Sequence, residues 1–90
     1  MSNLQWCKQA FYRDYAGQPT LKTENAQAAC LVGHARLLPG WTEDKMVTLA
    51  TAMGFDVKDY AQAITTLMMY NDKTDLQVVR ECFEKVKNTI

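Results

Sequence analysis

Apolar residues recur at helical rather than strand spacing along this chain, and no stretch alternates strictly as a half-buried strand does. Leu4, Cys7, Phe11 and Tyr15 share one stripe, with Trp6 and Ala10 beside it, which predicts a first helix from about Leu4 to Ala16. The loop Gly17 to Lys22 follows. Thr23 is placed to N-cap a second helix running to about Leu38, with Glu24 at its positive end. That segment is apolar nearly all round (Ala26, Ala28, Ala29, Cys30, Leu31, Val32, Ala35, Leu37, Leu38), the character of a central helix. Gly33 inside it costs roughly 1 kcal/mol relative to Ala, so it predicts a close helix crossing over Ala29 and Gly33.

Pro39-Gly40 ends the second helix, and Thr42 caps a third whose inner face holds Met46, Leu49, Ala50 and Met53. Gly54 suits the left-handed position that closes it. Asp56 caps a fourth helix with Val57, Tyr60, Ala61, Ile64, Leu67 and Met68 inside, closed by a left-handed Asn71. Thr74 and Gln77 form a capping box for a fifth, lined by Leu76, Val79, Phe83, Val86 and Ile90. The fold class predicted is all-α: residues 1–90 as a single compact bundle of about five short helices.

Composition narrows the classes of function. Ninety residues make one domain of modest stability, on the order of 5 kcal/mol. At 48% hydrophobic and 22% charged, the chain is too apolar for a disordered tail. Ten basic residues balance ten acidic ones, so no bulk field attracts nucleic acid or anionic lipid. Met1 to Ala10 contains no unbroken apolar run of a targeting segment, and the longest such run, Ala28 to Gly33, is too short to span a bilayer. Three scattered cysteines, Cys7, Cys30 and Cys82, fit a reducing cytoplasm better than a secreted disulfide scaffold.

Four constellations carry candidate chemistry. Cys30 and His34 lie four apart and could share a zinc ion with Cys7 and Cys82, but the paired Cys-x-x-Cys knuckles of structural zinc are missing. Cys30, His34 and Asp72 or Asn71 could form a nucleophile, a base and an orienting group, but a thiol in the most apolar segment is the opposite of an activated one. Asn71, Asp72 and Thr74 read as a structural turn between two helices. Leu49 to Phe55 and the following helix resemble a helix-turn-helix, with Lys58, Gln62, Thr65, Thr66 and Asn71 as readers. That reader has no Arg, and residues 43–90 hold six basic against eight acidic groups, a net −2.

Ala29-Cys30-Leu31-Val32-Gly33-His34-Ala35 and Tyr70-Asn71-Asp72-Lys73-Thr74, followed by Gln77-Val78-Val79, resemble an uncharacterised family of short phage and actinobacterial helical proteins. That family has a Cys-x-x-Gly-Ala helix and an aromatic-Asn-Asp turn; His34 stands here where it usually has Ala. The resemblance covers Ala28 to Val86. It implies a mobile-element origin and transfers no activity.

The function expected is a small, non-enzymatic, cytoplasmic binding protein that occupies a host protein, for instance one of a defence system, with a second copy of the chain as an alternative partner. Met69, Tyr70, Trp41 and Tyr12 are the expected contact residues, being aromatic or adaptable side chains of the kind found at interface centres. No catalytic set, cofactor, metal, membrane or nucleic acid is expected. The rival classes are a helix-turn-helix DNA binder and a small Cys/His enzyme or zinc domain.

Overall fold

A computed structural model describes residues 4–90; residues 1–3, part of the stretch read above for a targeting segment, lie outside it. It corrects the all-α expectation: the chain is α+β, a small mixed sheet followed by helices. The strands are β1 (Gln5–Trp6), β2 (Tyr12–Arg13), β3 (Pro19–Thr20) and β4 (Ala28–Ala29), ordered β1-β4-β2-β3. β1 pairs in parallel with β4 and the other two pairings are antiparallel. Four helices follow: α1 (Leu31–Arg36), α2 (Glu43–Ala52), α3 (Tyr60–Lys73) and α4 (Leu76–Val86).

The predicted first helix is replaced by β1, a loop and β2. Gln9 has a φ of 64°, a left-handed conformation that cannot continue a right-handed helix. The backbone donors find partners far along the chain instead: Gln5 N–H donates to the Gln27 carbonyl at 2.9 Å and Cys7 N–H to Ala29 at 3.0 Å.

The predicted second helix divides into a 3₁₀ turn (Thr23–Asn25), β4 and the six-residue α1. Gln27 N–H donates to Arg13 and Cys30 N–H to Phe11, so residues 27–30 pair with the N-terminal segment on both sides. A strand interior to a sheet is apolar on both faces, which periodicity cannot separate from a buried helix. Gly33 does mark a close approach, but of loop and strand rather than of a second helix. A Cβ there would lie 2.5 Å from the Phe11 carbonyl oxygen, 2.9 Å from Ala29 Cβ and 3.1 Å from the Tyr12 ring.

The later helices keep their places with shifted ends. Thr42 caps α2 by accepting from Lys45 N–H at 3.1 Å, and Gly54 closes it at a φ of 97°. Asp59 rather than Asp56 caps α3, accepting from Gln62 N–H at 2.8 Å. Asp75 rather than Thr74 caps α4, accepting from Gln77 N–H at 2.9 Å. Leu31, Val32, Met46, Leu49, Leu67, Val79 and Phe83 form the core between the four helices.

Candidate functional site

The motif residues meet at one junction, where the sheet turns into α1 and α3 passes beneath. Asn71 is fully buried inside α3, not at its end; this corrects the left-handed closing role. Its Oδ1 accepts from Leu31 N–H at 3.0 Å across 40 positions of sequence, and its Nδ2 donates to the Cys7 carbonyl at 3.0 Å. Cys30, the residue preceding α1, makes no capping bond of its own. Asn71 thus caps α1 from another helix, satisfying a donor the helix start leaves open.

Asp72 continues the same clamp, accepting from Gln9 N–H at 2.9 Å and from Asn71 Nδ2 at 3.3 Å. The Gln9 bond holds the one non-glycine residue with left-handed backbone among the described residues. The Asn-Asp pair therefore ties the β1–β2 loop to the start of α1, and Thr74 follows as the residue that ends α3.

Two opposing effects act on Cys30. The backbone N–H groups of Gly33 and Val32 at the start of α1 act to lower its pKa, though the sulfur takes no capping bond from them. Burial is the larger effect and pushes the thiol up, with Asp72 adding repulsion. Cys7 is also pushed up, chiefly by burial. Both sulfurs are buried, whereas Cys82 is only partly so; all three are free thiols.

His34 is turned away to a different task. Its ring stacks on Trp6 with centroids 3.8 Å apart and 16° between planes, and Phe83 meets the Trp6 ring edge-on at 5.6 Å. Nε2 lies 3.0 Å from the Gln5 carbonyl oxygen, which only accepts, so Nε2 carries the proton. Burial lowers the His34 pKa, partly countered by that bond. The cleft beside it, about 540 Å³, is flanked by Arg80, Glu84 and Lys87. No group of three or more metal-ligating side chains gathers among the described residues.

Of the expected contact residues, Met69 is half exposed, Tyr70 and Trp41 are partly buried, and Tyr12 is only 3% exposed in the core. Tyr70 packs edge-on against Phe55, and Trp41 against Tyr60. Tyr15, assigned above to the buried stripe, is 88% exposed on the β2–β3 hairpin, and Leu21 just after β3 is 84% exposed. No sequence signal marks these two, because their exposure follows from strands that the periodicity does not reveal. Residues 53–59 separate α2 from α3, longer than the about three- to four-residue turn of a helix-turn-helix.

Compared with known proteins, the chain matches no family model, no curated protein and no solved structure. No helix among the described residues is long and apolar enough to cross a membrane. Fold and junction together define the class: a small α+β domain whose polar motif residues join a sheet to a helical core.

Proposed function

We propose that this protein is a small, non-enzymatic, cytoplasmic binding domain that occupies another protein through the β2–β3 hairpin. The observation that carries the reading is the display of Tyr15 and Leu21, 88% and 84% exposed, on one hairpin. Large side chains held nearly free of the fold contribute nothing to its core, while Tyr is among the residues enriched at the energetic centres of interfaces and an exposed Leu adds apolar area for a partner to bury. The hairpin is pre-organised for contact. Gly17 takes a φ of 82° at its turn, Asp14 accepts from Ala16 and Gln18 N–H, and Arg13 donates to the Gly17 carbonyl at 2.9 Å. A rigid loop loses little entropy on docking.

The resemblance to short phage and actinobacterial proteins supports a mobile-element accessory role, with a host protein as the partner. The residues that suggested enzyme chemistry favour the same reading, since Cys30, Asn71 and Asp72 are engaged in the junction and His34 is engaged with Gln5 and Trp6. The test is a photo-crosslinking residue at position 18, exposed in the turn of the same hairpin, used in host lysate and with the purified protein alone. A discrete crosslinked partner that Tyr15→Ser/Leu21→Ser abolishes, without change in melting temperature, is expected. Unchanged capture by the double variant would overturn the reading, and a crosslink formed by the purified protein alone would make the partner a second copy.

A further inference from the structure

We infer that Cys7 and Cys30 form a redox site, two thiols held in register at the ends of β1 and β4 that close to a disulfide when a small disulfide of the glutathione class supplies the oxidant. The pairing of β1 with β4 sets Gln5 opposite Ala28 and Trp6 opposite Ala29. One further step brings Cys7 opposite Cys30. Cys7 N–H donates to the Ala29 carbonyl at 3.0 Å, the bond a parallel ladder makes at that position. Side chains opposite one another leave a sheet on the same face, and neighbouring strands lie about 4.8 Å apart. A disulfide needs Cα atoms about 4.4–6.8 Å apart and Cβ vectors that do not diverge, which this register provides. Both thiols are free here, so the structure is that of the reduced form.

The surroundings single out the same pair. The ladder opens only beyond it, where the Asn71 side chain stands between the Cys7 carbonyl and Leu31 N–H and bonds to both. Both cysteines are buried, and the Asp72 carboxylate disfavours ionisation of each, as the charge of Cys30 does for Cys7. Cys82 lies on α4 beside Tyr70, in different surroundings. The exchange balances without a further reactant. One protein thiolate attacks the small disulfide and expels a thiolate, and the second protein thiolate then attacks the mixed disulfide and expels the other. Two protein thiols are oxidised to one disulfide, the small disulfide is reduced to two thiols, and the two protons pass to them. Burial makes the first attack slow, on the order of hours. Oxidation gives up the long 3.7 Å bond from Cys7 Sγ–H to the Ala10 carbonyl. The link encloses residues 8–29, which carry β2 and β3, and so fastens covalently what Asn71 and Asp72 fasten by hydrogen bonds.

The site is independent of the hairpin reading, and it is tested on the whole chain without any protein partner. The protein is equilibrated with mixtures of glutathione and its disulfide, both native and in urea, then acid-quenched, alkylated and mapped by peptide mass spectrometry. A Cys7–Cys30 link is expected, formed to the same extent in Cys82→Ser. Its equilibrium constant against glutathione should be at least about tenfold larger in the native protein than in urea, because the fold brings the two sulfurs together. Far-UV circular dichroism of the oxidised protein should match that of the reduced one. Four results would each overturn the assignment: a link no more favourable in the native protein than in urea, a link through Cys82 in place of the Cys7–Cys30 one, glutathione adducts without a link, or loss of helical signal on oxidation.

Discussion

Between residues 4 and 30 the buried side chains are Cys7, Tyr12, Ala29 and Cys30, whereas the four helices bury Leu31, Val32, Met46, Leu49, Leu67, Val79 and Phe83. Fully burying one such aliphatic or aromatic side chain stabilises by about 1.5–3 kcal/mol, so the helical region has its own reason to be compact. The sheet region has strands of two residues each and little apolar volume. Its order comes from hydrogen bonds to partners distant in sequence, including the two side chains of the Asn71-Asp72 clamp. One region is held by burial and the other by polar attachment to it. Damage to the first should therefore unfold both, while damage to the attachment should release residues 4–30 from an intact helical core.

The strongest break of that contrast is Leu67→Ala at the centre of α3. It should lower global stability by about 3 kcal/mol, with denaturant melts by far-UV circular dichroism and tryptophan fluorescence shifting together. Gly33→Ala comes next. In an open helix the change would stabilise by roughly 1 kcal/mol. Here the new Cβ meets a backbone carbonyl at 2.5 Å, and overpacking at such a contact costs about 1–3 kcal/mol. A rise in melting temperature would refute the close approach.

Asn71→Ala sharpens the comparison best. It leaves Leu31 N–H and the Cys7 carbonyl without their buried partner, at a cost of about 1–3 kcal/mol. Hydrogen exchange should accelerate at Cys7, Gln9 and Leu31 while amides inside α2 and α3 stay protected. Uniform acceleration would mean that the two regions are a single cooperative unit.

A smaller effect concerns His34, whose bond to Gln5 and stacking on Trp6 fasten β1 to α1. Its folded pKa is lowered by burial, so the unfolded chain binds the proton more readily. The stability it contributes is present above the ordinary histidine range, near about 6.5, and is lost as pH falls below it. The melting temperature should therefore drop between about pH 7 and 5, and the drop should be shallower in His34→Gln. The smallest signal is thiol labelling. Cys82 should react first in the native protein, while Cys7 and Cys30, buried and with raised pKa, should react slowly until denaturation. Fast native labelling at Cys30 would contradict the junction's closed geometry.

The helices were legible in sequence because their signals are local. Thr42 and Gly54 bracket α2 as expected, and Met46, Leu49, Leu67, Val79 and Phe83 are buried on the faces their spacing assigned. Caps moved by one to three residues, from Asp56 to Asp59 and from Thr74 to Asp75, where several oxygen-bearing side chains competed for the same duty. The motifs Cys30-to-Ala35 and Asn71-Asp72 were visible as motifs, but their joint role was not. Leu31 and Asn71 are 40 residues apart, and a single sequence contains nothing that pairs them.

By itself the sequence determined where helices α2 to α4 lie and which of their side chains face inward, because capping and 3.6-residue periodicity act within a few residues of the chain. Only the tertiary structure decided residues 4–30. Strands of two residues are too short to show alternation, and the left-handed Gln9 is held by Asp72 from across the molecule. The segment from Thr23 to Leu38 was apolar enough for a helix or an interior strand, and the backbone partners supplied by residues 5–13 settled it in favour of β4 followed by α1.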